Sequence, residues 1–405
     1  MTTATRVVSA GDLGMFRGGS GFPIRSQGRK SGELPFFKVS DMNSDGNELY
    51  MRRANNYISE SQRKSLGAVR IPAGAIVFAK VGAAVFQERK RILAQDSCID
   101  NNMAAFVVDE RQLDVKFAYY LLTAFRMSDL VAVGALPSLN GAQLRSMPLI
   151  VPRDLAEQRR ITSALSDADE LITRIEGVVA KKQAIKQGMI QHLVTGRTRL
   201  PGFTKTWQQA LLSDVAIIDP EALPASTDAR ALIDYISLED VERGQILAHS
   251  HLRFGSAPSR ARRVIKSGDV LFGTVRPNLK SHAIYRAGLQ RPIASTGFAV
   301  VRAVRERTDA QFLFHLLMSR LTDVQVERII AGSNYPAVSS RDIRRLAFNF
   351  PPIEEQRAIG SMLADIDDDI ARITQRLVKA QAIKVGMMQQ LLTGRTRLPL
   401  KGIAQ

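Results

Sequence analysis

Two stretches of this chain are nearly the same sequence. Laid over each other without a gap at an offset of 198 residues, residues 157–200 and 355–398 match at 26 of 44 positions. A match of that length is a duplication, and it requires the fold to present one element twice. The likeness continues more faintly outward. Residues 71–82 (IPAGAIVFAKVG) line up with 265–276 (IKSGDVLFGTVR), 36–47 (FFKVSDMNSDGN) with 235–246 (YISLEDVERGQI), and 136–152 with 335–351. The chain therefore reads as two halves, each a variable block followed by a near-identical block: 1–150, 151–204, 205–350 and 351–405. One architecture performs two versions of one job.

The near-identical blocks are helical. Apolar residues recur at Ile161, Leu165, Ala168, Ile172, Ile175 and Val179, and again at Ile359, Leu363, Ile366, Ile370, Ile373 and Leu377. Alternating steps of four and three make the seam of a coiled coil. Asp154 with Glu157 resembles a capping box, and Pro351/Pro352 suits a helix entrance. Acids come early and Lys181, Lys182 and Lys186 late, as the helix dipole favours. We expect the two helices to pack on each other, antiparallel, as a spacer with an internal pseudo-two-fold. The competing expectation is two amphipathic helices, each docked on its own domain. The TGRTRLP tail after each helix is basic and suited to docking a partner or a neighbouring domain.

The variable blocks predict an α+β fold, two globular α/β domains separated by the long helices. Strands are expected at 36–40, 75–79, 104–108, 232–237, 269–275 and 297–301, and helices at 115–125 and 310–320. Composition is that of a globular protein, 45% hydrophobic and 23% charged. One cysteine excludes a disulfide framework or a cysteine zinc site. No apolar run reaches the roughly 18 residues of a membrane span, and the expected location is the cytoplasm. The net charge of +17 points to a polyanion. Each variable block carries +6, which places the excess in two similar domains.

Basic residues cluster in the expected loops. Candidate DNA contacts in the first block are Arg25, Arg29, Lys30, Lys80, Arg89, Lys90, Arg91 and Asn140. Those in the second are Arg260, Arg262, Arg263, Arg276, Asn278, Lys280, Asn334 and Tyr335. Lys and Arg neutralise phosphates, while Arg and Asn also pair with base edges. No phosphate-binding glycine loop is present. Glu88-Arg89-Lys90 matches half of a nuclease signature without its partner Asp. His249 and His251 share a strand face without a third ligand. Cys98 reads as a small buried hydrophobe, and Trp207 as core. No catalytic site and no metal site are nominated.

Two helix entrances (Pro152…Glu157-Gln158-Arg159 and Pro352…Glu355-Gln356-Arg357), two exits reading Leu-[Val/Leu]-Thr-Gly-Arg-Thr-Arg-Leu, and the stretch YISLED (Tyr235 to Asp240) carry a family likeness across the whole chain. The chain resembles the specificity subunit of a type I restriction–modification system. The resemblance implies a non-catalytic subunit whose variable blocks are target-recognition domains for double-stranded DNA, each reading half of a bipartite target. It implies that the helices fix the gap between halves and dock two methyltransferase subunits, which hold S-adenosylmethionine. Restriction subunits, where present, add ATP and Mg²⁺ chemistry. The first block departs from the pattern, with FFKVSDM (Phe36 to Met42) in place of YISLED, so its DNA role carries over by position only. The alternatives are a self-sufficient DNA-modifying or cleaving enzyme using Glu88 or His249, and the DNA-binding scaffold of another defence complex.

Overall fold

The computed structural model describes residues 5–131, 137–330 and 336–398. The chain divides into two compact units, one of Met1–Arg174 with Leu377–Gln405, the other of Ile175–Arg376. Both boundaries fall inside the long helices, Leu155–Leu193 and Ile353–Leu391. Each unit therefore combines one variable block, the start of the helix that follows it, and the end of the other helix.

In the first unit, a five-stranded sheet runs in the order Gly14–Gly18, Met103–Val108, Ile76–Ala79, Lys90–Leu93, Tyr50–Met51. The central strands are apolar on both faces because each face is covered. One face packs against the helix Val115–Ala124, in a core with Phe78, Phe106, Phe117 and Tyr120. A smaller sheet, Tyr57–Ile58, Leu34–Phe37 and Cys98–Ile99, builds a separate core around Phe36. A ribbon of Thr5–Ser9 against Pro148–Pro152 leads into the long helix.

The second unit repeats this plan. Its main sheet is Ala216–Ile218, Phe298–Ala303, Val270–Gly273, His282–Ile284. Its smaller sheet has four strands, Ser250–Arg253, Leu232–Ile236, Pro292–Ser295 and Ala261–Val264. The ribbon is Gln208–Leu211 against Ala347–Phe350. The FFKVSD and YISLED stretches have one backbone. In both, a strand pairs in parallel with a later one and ends where an aspartate caps it. Asp41 accepts from the Lys38 N–H at 2.7 Å, and Asp240 from the Ser237 N–H at 2.7 Å. The first block thus departs from the second in letters but not in fold. The same cap explains why the strand predicted for 36–40 stops at Phe37. The helix predicted for 310–320 stops at Leu317, and a second helix, Arg320–Ile330, follows a break at Met318 and Ser319.

The long helices pair within each unit. In the first, Glu157 lies opposite Arg397 and Asp169 opposite Lys384. In the second, Lys182 faces Asp369, Lys186 faces Asp367 and Arg199 faces Glu355. Partner numbers fall as residue numbers rise, so the segments run antiparallel. The early acids and late lysines meet each other across the pair, in addition to suiting the dipole. Ala168, Ile172, Ile175, Val179, Ile366, Ile373 and Leu377 are half-buried, and Ile370 is buried. Ile161, Leu165, Ile359 and Leu363 share their cores with the end of the opposite helix and with the globular block. They are fully buried in the core of the preceding block. Leu391 and Leu392 complete the first unit's core, and Ile190, Leu193 and Val194 the second's. Each helix starts on its own domain, as the competing expectation held, and pairs further along.

Candidate nucleic-acid interface

The most repetitive residues prove to be anchors. Gln158 Oε1 accepts from the Asp114 N–H at 2.8 Å, and its Nε2 donates to the Gln112 and Pro152 carbonyls. Gln356 does the same for Asp309, Arg307 and Pro351. Asp114 and Asp309 cap the following helices. Both glutamines are buried, where a polar group must be satisfied. Glu355 is fully buried and accepts a two-pronged bond from Arg199 (2.9 and 2.6 Å) and a third from Trp207 Nε1 at 3.2 Å. The capping box expected of Glu157 gives way to Arg397 at 3.8 Å, leaving Asp154 to cap Ala156. The exit glycine is required: Gly196 has φ +71 beneath Trp207, where a Cβ would lie 3.2 Å from the indole. The TGRTRL tails therefore dock on the globular blocks.

Among the candidate DNA contacts, four are tied into the scaffold. Lys90 is buried against Glu88 and donates to the Phe125 carbonyl at 3.2 Å. Arg91 is half-buried and donates to the carbonyls of Lys90 and Met42. Arg263 pairs with Asp219 at 2.9 Å. Lys280 pairs with Asp323 at 2.9 Å and donates to the Met318 carbonyl. Counting cations in loops cannot tell these from free ones, because Asp219, Asp323 and the Phe125, Met42 and Met318 carbonyls are brought to them only by the fold. Asn140 caps the helix Gly141–Ser146, accepting from the Ala142 N–H at 2.7 Å. Arg25, Arg29, Lys30, Arg260, Arg276 and Asn278 are exposed. Lys80 and Arg89 are partly exposed, with Arg89 bonded to Gln87. Arg262 lies over the Phe254 ring at 4.7 Å, a stacking that fixes its guanidinium. Asn334 and Tyr335 lie outside the described residues.

Glu88 and Lys280 end matching short 3₁₀ turns, both in the left-handed region (φ +52 and +54). Burial pushes the Glu88 carboxyl up, but the Lys90 ammonium and the Ser128 amide outweigh it and hold it below the usual range. Burial draws Lys90 down from its ordinary value, against the pull of Glu88. The nuclease reading of Glu88 fails on geometry, since its carboxylate is spent on Lys90 and the amides of Met127 and Ser128. At the position matching Lys90 stands His282. Burial depresses it to about 3, and its Nδ1 accepts from the Gly273 N–H at 2.9 Å. Burial raises the Cys98 thiol to about 11, an unreactive side chain.

One basic face escaped the loop-by-loop count. His251 and Arg253 alternate on the edge strand Ser250–Arg253, and Arg291 is exposed just before the strand Pro292–Ser295. Asp234 Oδ1 holds His251 Nδ1 at 2.8 Å while its Oδ2 accepts from the amides of Gln290 and Arg291. Those bonds, that of His251 foremost, keep Asp234 below the usual carboxylate range. The alternation HSHLR was the available signal. Among the described residues no group of three or more His, Cys, Asp or Glu is placed to hold a metal, and no helix is long and apolar enough to cross a membrane.

A family model described as the type I restriction modification DNA specificity domain matches residues 5–187 and 233–381. The MjaVIII specificity subunit of a type I restriction enzyme from Methanocaldococcus jannaschii is 23% identical over 326 residues, covering 76% of each chain. The putative MjaX specificity subunit of the same organism is 22% identical over 368 residues, 84% of this chain and 83% of that one. A crystal structure of a type I S subunit from M. genitalium superposes with a TM-score of 0.60 at 12% identity, covering 96% of both chains.

Proposed function

The chain belongs to the type I restriction–modification DNA specificity family, and from that premise we propose that each unit reads one half of a bipartite DNA target. It is a non-catalytic specificity subunit. The observation that carries the proposal is one scaffold present twice with different exposed side chains: Arg25, Arg29 and Lys30 in the first unit, Arg260, Arg276 and Asn278 in the second. A fold kept constant under changing loops is what two recognition sites of different sequence need. The antiparallel helix segments set the gap between half-sites and offer the surface for two methyltransferase subunits. Those subunits hold the S-adenosylmethionine that methylates adenine, and restriction subunits bring ATP and Mg²⁺.

The test is to map methylated adenines in host DNA with and without this chain. Loss of one bipartite motif supports the proposal. Methylation or cleavage of DNA by the purified chain alone, given S-adenosylmethionine and Mg²⁺, overturns it in favour of a self-sufficient enzyme. Recovery from cells without a methyltransferase overturns it in favour of another scaffold. On the contact surface, Arg262→Ala is expected to weaken binding and lower the salt slope by about one phosphate contact. Arg263→Ala acts through stability instead, because Arg263 is spent on Asp219.

A further inference from the structure

Ile24 is 88% exposed, yet it stands on a loop that is held in place from several sides. Behind it, Phe22 stacks on the buried Phe36 with ring centres 3.8 Å apart. Ile24 begins a 3₁₀ turn, Ile24–Ser26, closed by the Gln27 N–H donating to the Ile24 carbonyl at 3.0 Å. Gln27 Nε2 donates to the Phe22 carbonyl at 2.8 Å, and Lys38 Nζ donates to Gln27 Oε1 at 3.1 Å. Further along, the Gly28 N–H donates to Asn56 Oδ1 at 2.8 Å, and the Tyr57 N–H to the Arg29 carbonyl at 2.9 Å. The aromatic anchor turns one way and the isoleucine the other. A large aliphatic side chain fixed in water loses the free energy its burial would give. The fold does not require it, because the side chain joins no core cluster.

The surroundings say what it meets. Residues 19–32 contain Arg25, Arg29 and Lys30 and no Asp or Glu. All three cations are exposed. The corresponding connection in the second unit, residues 219–231, instead carries Asp219, Glu221 and Asp228 with a single Arg230. An apolar point on a loop whose charges are all positive matches a surface that is apolar in the middle and anionic at its edges. Stacked base pairs between two phosphate backbones are such a surface. Apolar wedges on basic elements enter between base pairs and partly unstack them, at a cost of a few kcal/mol per step that added contacts repay.

We propose that Ile24 is a wedge that unstacks one base step in the half-site read by the first unit, with Arg25, Arg29 and Lys30 holding the flanking phosphates. This rests on the DNA-recognition reading and deepens it: specificity in this half-site includes how easily one step opens.

The test uses the full chain assembled with its methyltransferase subunits, on a duplex carrying the mapped target. 2-Aminopurine replaces each base in turn, the methylated adenine excepted, and reports loss of stacking by brighter emission. One step in one half-site is expected to brighten several-fold. Ile24→Ser should abolish the brightening and weaken binding while leaving the salt slope and the melting temperature unchanged. Ile24→Phe should keep or increase it. Arg29→Ala should keep the brightening and reduce the salt slope by about 1. Brightening that survives Ile24→Ser, or no bright position in either half-site, overturns the wedge. An assembly that binds every sequence alike overturns the recognition reading itself, and the two failures are thereby distinguishable.

Discussion

The two recognition blocks solve one mechanical problem with opposite charges. In the first, the turn after the strand Ile76–Ala79 ends at Glu88, whose carboxylate collects the Met127 and Ser128 amides at 3.1 and 2.8 Å. In the second, the matching turn ends at Lys280, whose ammonium donates to the Met318 carbonyl and to Asp323. One turn ties down an amide end, the other a carbonyl end. Two residues later the contrast repeats: Lys90 is buried with its counter-ion, and His282 is buried neutral. The same substitution logic recurs beside the long helices. Tyr120 donates to Asp169 Oδ2 at 2.7 Å, and Asp169 pairs with Lys384. At the matching place His315 lies 3.6 Å from Asp367, which pairs with Lys186. What the duplication keeps is the tie, not the residues that make it.

The largest separation of the two units is expected in acid. Burial depresses both His282 and His315 to about 3. Asp367 does not rescue His315, since 3.6 Å is too long for a hydrogen bond and the carboxylate is engaged by Lys186. A group whose folded pKa lies below its unfolded value binds more protons when unfolded, so stability falls as pH drops below about 6.5 toward 3. Each histidine should cost about 2 kcal/mol at pH 5, and the first unit has a tyrosine and a lysine at these places. Hydrogen exchange resolved by peptide at pH 7 and 5 should show protection lost in the second unit first. Equal loss in both would refute the account.

Next in size is the buried carboxylate. Glu355→Ala should destabilise the second unit by about 3 kcal/mol, because it strands Arg199 and the Trp207 N–H. Glu157→Ala should cost under about 1 kcal/mol, since Arg397 is 3.8 Å away and exposed. Urea midpoints of the two variants give the comparison directly. Glu88→Gln, which leaves Lys90 buried beside a neutral amide, should cost about 2 kcal/mol. Lys280→Met should cost less, because Asp323 can turn to water; a larger loss at Lys280 would reverse the ranking. Smallest are the matched caps: Asn140→Ala and Ser339→Ala should each cost about 1 kcal/mol and leave the salt dependence of DNA binding unchanged.

The architecture was open to sequence reasoning because periodicity and duplication are local signals. The helices, their register and most central strands follow from them. The fate of individual cations was not. Lys90, Arg91, Arg263 and Lys280 look like Arg29 in a list, and only the packed chain shows which partner takes each one. The seam went partly astray for a related reason. Ile161 and Leu165 have the spacing of a coiled coil, but they join the core of the globular block, where Leu391 and Leu392 at the end of the second helix meet them. Ile24 carried no signal, since an exposed isoleucine is unremarkable until the loop under it is seen to be held.

Leu391 and Leu392 lie in the same core as Leu13, Phe106 and Leu165. On a ribosome the first unit is begun first, yet its interior stays open until those two leucines emerge. The second unit, built from Ile175–Arg376, has by then all its residues. The order of completion is the reverse of the order of synthesis. For as long as translation of the second half lasts, the first block waits with an apolar face uncovered, and a nascent chain halted before residue 391 carries that face into solution.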